Sequence, residues 1–271
     1  MIALRWEWIA CAYCAYLLIV ALCDARFVRA RVPALAATAA SGVVLGVQVF
    51  AWPWLTVNAL AFAILVPLLM LLVGYWLSGL FFVRPMPEVE AWLMSVDAQL
   101  LRQPGIFAAY EASPRFVREG LELAYVLVYP VIPAAVAALV IGGHVSVLPR
   151  FWVVVLLSEF IAYGAMPWLQ TRSPRVIEDA AGMRHPHSAL RRVNASILDR
   201  GSIQANTIPS GHAAGAVATA LAVVEVMPQA GVAFLVIAAA IVAATVLGRY
   251  HYLVDSLLGI IVAVGVWGFC R

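Results

Sequence analysis

Two short polar clusters interrupt an otherwise apolar chain: Pro209-Ser210-Gly211-His212, and then Arg249, His251 and Asp255 within GRYHYLVDSLLG. His251 and Asp255 stand four apart, so on a helix they share a face one turn apart. A carboxylate placed there accepts the proton of one imidazole nitrogen, which fixes the tautomer. The other nitrogen is left as a nucleophile or base. The Pro-Ser-Gly turn opens a helix, and N–H groups at a helix start, at Gly211 and beyond, form an anion site with the Ser210 hydroxyl. His212 projects from that first turn toward whatever is bound. Arg172 and Arg175, upstream in QTRSPRVIE, add fixed positive charge whose fork geometry suits phosphate oxygens. Two histidines, a carboxylate, arginines and a helix N-terminus make a phosphoryl-transfer site that needs no metal.

The elements that must position these groups are membrane helices. Residues 213–248 are nearly all apolar and suffice for two crossings, so both polar clusters return to one face. Of the 271 residues, 65% are hydrophobic and 11% charged, with a mean hydropathy of +0.97. An ordinary soluble domain is about one quarter charged. A soluble core cannot hide so much apolar surface, so the solvent is lipid. A crossing takes about 20 apolar residues, and candidate spans are 6–23, 33–51, 54–83, 121–142, 150–168, 210–227, 229–247 and 254–270. The runs are too long and continuous for barrel strands. The expected fold is all-α: a polytopic membrane helix bundle of about eight spans. Trp52-Pro53-Trp54 reads as a tight turn between spans two and three, and the third segment as overlong and tilted.

Between spans three and four, Val89, Trp92 or Leu93, Val96 and Leu100 recur at helical spacing, with Glu88, Glu90, Asp97 and Arg102 off that stripe. The pattern predicts a helix lying in the interface or packed on the protein, ended by Pro104-Gly105. By parity, 14 of the 17 basic residues, all arginine, fall on the face of the two clusters; only Arg5, Arg150 and Arg271 fall opposite. The positive-inside rule then sets the active face in the cytoplasm, in what is expected to be a bacterial inner membrane.

The remaining features read more plainly. Cys11 and Cys14 form a CxxC that lacks further ligands for zinc and reads as small apolar side chains in a helix. His185 and His187 read as a solvated loop, and the Asn194-Ala195-Ser196 sequon as meaningless on a cytoplasmic face. Glu159, in the middle of span five, is an interhelical hydrogen-bond partner or lines a cavity. The N-terminal segment reads as a membrane helix, without the small-residue cleavage site of a signal peptide.

The second and third clusters resemble the type 2 phosphatidic acid phosphatase superfamily of membrane lipid phosphatases and phosphotransferases. Its Pro-Ser-Gly-His motif matches at Pro209 to His212, and its His-to-Asp spacing at His251 and Asp255. The resemblance covers roughly 54–270. It implies a six-helix core over 54–271, with 1–53 as two additional N-terminal helices. Two departures stand out. The arginine expected six residues before His251 is replaced by Thr245, and Arg249 could reach the same phosphate from one turn on. The first motif has no lysine and no Arg-Pro pair, and looks like the variant of the branch related to inositol-phosphoceramide synthases. The resemblance implies that His251 attacks phosphorus, oriented by Asp255, while His212 protonates the leaving group. Arg172, Arg175, Ser210, Gly211 and Arg249 would hold the phosphate oxygens. No cofactor or metal is implied; the partner is a phosphorylated membrane lipid in the bilayer, and no nucleic acid is expected. A polyprenyl diphosphate substrate, or a non-catalytic relative that keeps the fold, is the alternative.

Overall fold

The computed structural model describes residues 5–51, 58–181 and 189–271. Its order is α1 (Trp6–Cys23), α2 (Arg31–Gly46), α3 (Ala59–Gly79), α4 (Pro87–Asp97), α5 (Ile106–Ala112), α6 (Arg115–Val126), α7 (Val128–Ile141), α8 (Leu148–Gly164), α9 (Pro174–Ala180), α10 (Ala189–Gly201), α11 (Gly211–Val224), α12 (Pro228–Leu247) and α13 (Leu253–Phe269). Among the described residues five helical segments are long and apolar enough to cross a bilayer, those of α1, α2, α3, α8 and α12. The pair α6–α7, bent by 63°, counts as a sixth if the two helices form one broken span. The count by length and composition is therefore five or six rather than eight. The other two expected spans are the shorter apolar helices α11 and α13. At 14 residues, α11 rises only about 21 Å, starting at the Pro-Ser-Gly-His cluster.

Prolines explain the breaks. The α6–α7 bend falls at Val126 to Val128, where Pro130 removes the N–H that would close on the Val126 carbonyl and crowds that carbonyl. In α3, Pro67 likewise orphans the carbonyl of Ala63, and the Trp152 indole of α8 supplies the missing donor at 2.8 Å. The third segment is not overlong: α3 ends at Gly79. The chain is then turned aside by Gln170, whose Oε1 accepts from the N–H groups of Val83 and Arg84. The Trp52-Pro53-Trp54 turn and the pair His185 and His187 lie outside the described residues.

The core is centred on α8, buried along most of its length. On one side α1 packs against it: Tyr13 stacks on Phe160 at 4.2 Å, and Tyr16 donates to the Gly164 carbonyl at 2.8 Å. On another side lies α11, whose run of Gly and Ala lets backbones approach closely where lipid offers no hydrophobic drive to association. The start of α11 also lies hard against α13, where a Cβ on Gly259 would sit 2.6 Å from the Ser210 carbonyl. At the far ends of these helices Arg150 and Arg271 both pair with Glu225.

The helix expected between spans three and four is α4, and carboxylates as well as an apolar residue face inward from it. In α4 the buried positions are Glu90, Leu93 and Asp97, while Trp92 and, just beyond the helix, Leu100 are exposed. Of the acidic residues off the apolar stripe, Glu90 and Asp97 face into the protein, while Glu88 is exposed.

Candidate active site

Three backbone contacts knit the loops of the site together. Asn206 N–H donates to the Thr171 carbonyl at 2.8 Å, Arg175 N–H to the Arg249 carbonyl at 2.9 Å, and Ser210 N–H to the Asp255 carbonyl at 2.9 Å. The turn that presents His251 is a helix C-terminus. At the end of α12 the N–H groups of Tyr250 and His251 both return to the Thr245 carbonyl at 2.9 Å. Arg249 takes the left-handed position there, at φ 64°, which usually falls to glycine.

The two histidines, 39 apart in the chain, meet. His251 Nε2 lies 3.3 Å from His212 Nδ1, and His251 Nδ1 lies 3.0 Å from Asp255 Oδ2. His212 Nε2 in turn lies 3.3 Å from the Tyr125 hydroxyl. With both imidazoles neutral and Asp255 ionised, one proton arrangement satisfies every contact. Tyr125 donates to His212, His212 Nδ1–H to His251 Nε2, and His251 Nδ1–H to Asp255. That leaves His251 Nε2 as the nitrogen with a lone pair. Asp255 Oδ2 is fixed further by the Asn206 side-chain amide at 3.0 Å and the Tyr252 N–H at 3.1 Å.

These residues open into a cavity of about 290 Å³, close to the roughly 300 Å³ lower bound of ordinary ligand pockets. Its polar lining includes His212, His251, Arg175, Asn206 and Thr207; its apolar lining includes Leu68, Leu71, Leu72, Trp76, Ile132 and Pro133 from α3 and α7. Arg175 brings a guanidinium whose buried Nε has no hydrogen-bond partner, held 5.7 Å from the Tyr250 ring centre. Beside it Tyr250 stacks on Tyr125 at 3.7 Å. Burial pushes the Tyr250 hydroxyl above its ordinary range, and it donates to Glu122 Oε2 at 2.6 Å.

The other expected phosphate ligands are placed differently. Arg172 forks onto Glu90 at 3.0 and 2.7 Å, and its backbone N–H adds a third bond to that carboxylate at 2.7 Å. Arg249 does not turn toward the histidines. Its buried guanidinium pairs with Asp97 and with Glu178, at 2.9 Å to the latter. Burial pushes the Asp97 carboxyl up and the Arg249 charge pulls it back. Arg102 shares Glu178 at 2.6 Å. Ser210 is the N-cap of α11, its Oγ accepting from Ala213 N–H at 3.3 Å, while Gly211 N–H is taken by Thr207 Oγ1 at 3.1 Å. The expected anion site is thus partly filled by the protein's own side chains. Thr245, at the usual arginine position, is fully buried and meets Ser256 across α12 and α13 at 3.2 Å.

So the cavity gathers His212, His251 and Arg175, with Asp255 behind His251. Sequence reasoning missed Tyr125, Tyr250, Asn206 and the three carboxylates on Arg172 and Arg249. Tyr250 and Asn206 border the motifs and were within reach; Tyr125 had no local signal. The sequon is closed: Asn194 is fully buried and its amide donates to Glu122 Oε2 at 2.6 Å. Among the described residues no group of three or more His, Cys, Asp or Glu is arranged as a metal site.

Comparison with protein families adds one match: the model described as the PAP2 superfamily fits residues 91–269, a stretch that contains Tyr125, Arg175, His212, His251 and Asp255 but not Glu90 or the α3 lining of the cavity. No curated protein and no solved structure matches the chain.

Proposed function

The chain belongs to the PAP2 superfamily, and on that premise we propose that it is a membrane lipid phosphatase or phosphotransferase that works through a phosphohistidine on His251. Membership and the apolar helices support, in general terms, an integral membrane enzyme of the phosphatase type acting on lipid phosphate. One observation carries the finer reading. The Asp255–His251–His212–Tyr125 line ends in a cavity that offers a guanidinium at its polar end and apolar side chains from α3 and α7. Leu72 and Trp76 are about half exposed on that apolar side, which suits a lipid chain.

In the free protein His212 caps the nucleophilic nitrogen, so the phosphate must part the two rings. Negative charge beside His212 then favours its imidazolium form. His251 Nε2 attacks phosphorus, and the bond from phosphorus to the lipid oxygen breaks. The departing oxygen keeps the electron pair and takes the His212 proton. In the second step water attacks, gives a proton to His212, and the pair of the phosphorus–nitrogen bond returns to Nε2. A lipid alcohol in place of water gives transfer, the variant favoured by the first-motif likeness. Arg175 balances charge on the phosphate oxygens in both steps.

Phosphate release by the purified protein from phosphatidic acid, lysophosphatidic acid and a prenyl diphosphate, without added metal, tests this. Release that disappears in His251→Ala supports the reading and ranks the substrates. No release, alone or with a lipid alcohol present, would return the chain to a non-catalytic relative. The cytoplasmic active face is a separate proposal, resting on the arginine distribution. A cysteine at position 190 labelled from outside intact cells would overturn it.

A further inference from the structure

Glu159 is a carboxylate that the histidine chemistry does not use. A charged group in the middle of a membrane helix costs about 2.5–3.5 kcal/mol on insertion scales, so it is expected to have a compensating partner. The partner inside the protein is the Tyr163 hydroxyl, one turn along α8. Its Oε2 is buried with no hydrogen-bond partner. Yet the space for this carboxyl is cut into α11. A Cβ on Gly215 would lie 1.9 Å from Glu159 Oε1, and one on Gly211 2.9 Å from Oε2. Two glycines one turn apart thus form a notch that seats the carboxyl against the first turns of α11. Glu159 also lines the cavity shared by His212, His251 and Arg175. Oε2 itself is sealed from the cavity that the residue lines, so a donor arriving there meets this acceptor when the carboxyl turns out of the notch.

We propose that Glu159 is a specificity-determining residue. It accepts a hydrogen bond from a hydroxyl or ammonium group that the substrate carries near its phosphate ester. The cavity then selects lipid phosphates bearing such a donor over plain alkyl or prenyl phosphates of equal length. The inference rests on the lipid-phosphate reading above. A buried polar group left unpaired by the wrong ligand costs about 1–3 kcal/mol, or roughly five- to 150-fold in affinity or rate.

The test compares kcat/KM for lysophosphatidic acid and for an alkyl monophosphate of matched chain length. It uses the wild type, Glu159→Leu and Glu159→Gln. In parallel, thermal shifts report binding of the matching hydrolysis-resistant phosphonates. The wild type is expected to favour the hydroxyl-bearing lipid by about tenfold or more. Glu159→Leu should bring that ratio to within about threefold of one, and Glu159→Gln should keep part of it, because its amide oxygen still accepts. A wild type that does not discriminate, or a Leu variant that keeps the wild-type ratio, overturns the proposal. Turnover of neither lipid by the wild type defeats the phosphatase reading instead, and the phosphonate pair still decides on Glu159. Binding of neither phosphonate counts against Glu159 as well.

Discussion

Arg175 and Arg249 are joined by a backbone hydrogen bond, yet the two regions they belong to treat charge in opposite ways. Beside α4, two buried or half-buried arginines each have carboxylates: Arg172 has Glu90, while Arg249 has Asp97 and Glu178. In the histidine chamber Arg175 faces a cavity with its Nε unmatched. Matched charge fixes the position of a loop. Unmatched charge waits for a ligand. In a membrane protein the distinction is sharp, because an unmatched buried charge is costly unless something arrives to meet it.

The sharpest way to separate the regions is to remove a group from each and read activity against stability. In the chamber, His251→Ala should lower phosphate release by at least about a thousandfold, since no other group supplies the nucleophile. Its melting temperature in detergent should stay within a few degrees of wild type. Activity near the wild-type level would end the phosphohistidine reading. Beside α4 the balance should invert. Arg249→Ala strands the buried Asp97 carboxylate, and breaking a buried pair of this kind costs about 3–5 kcal/mol. The midpoint of unfolding should drop steeply, while turnover per folded molecule falls much less. If instead Arg249→Ala lost turnover and kept its stability, Arg249 would be a phosphate ligand after all.

Arg175→Ala makes the comparison within one residue type. Removing a preorganised cation from a phosphoryl-transfer site costs about a hundredfold or more in rate. Little stability should be lost, because its Nε is already unpaired. An Arg175 variant that unfolds early and turns over normally would merge the two regions into one.

The chamber was legible in the sequence and the clamp was not, for a physical reason. His251 and Asp255 are related by a fixed helical spacing, and out-and-back parity of α11 and α12 brings His212 to them whatever the crossing angles. The clamp depends on which side of α4 faces the protein. The sequence pattern sets Val89, Val96 and Leu100 on one stripe, of a helix lying in the interface or packed on the protein, and leaves Glu90 and Asp97 off that stripe. In the structure Leu93 is buried, Trp92 and Leu100 are exposed, and Glu90 and Asp97 are buried. The pattern alone does not show these carboxylates turned inward, so Arg172 and Arg249 read as phosphate ligands. Their partners are remote in sequence: Glu90 and Asp97 on α4 lie 82 and 152 residues before Arg172 and Arg249, and Glu178 on α9 lies 71 before Arg249. Length alone separates the expected span count from the observed one, since α11 and α13 are apolar but shorter than the other spans.

Asn206 belongs to both regions and is where the comparison is most finely balanced. Its side-chain amide donates to Asp255 Oδ2 at 3.0 Å and to Thr171 Oγ1 at 3.1 Å, while its backbone ties to the loop that carries Arg172. It is neutral, so its loss strands no charge. Asp255 keeps the Tyr252 N–H and the His251 imidazole, so the tautomer of His251 survives. What goes is one hydrogen bond to a carboxylate, worth about 1.5–3 kcal/mol. If the bond mainly orients the nucleophile, Asn206→Ala should lower kcat by about tenfold with KM nearly unchanged, and the melting temperature should fall by only a few degrees. If it mainly holds the two loops together, KM and stability should move together and kcat little. The first outcome makes Asp255 part of a rigid cradle that extends from the chamber into the clamp. The second would mean that the two regions touch at Asn206 without sharing the work of catalysis.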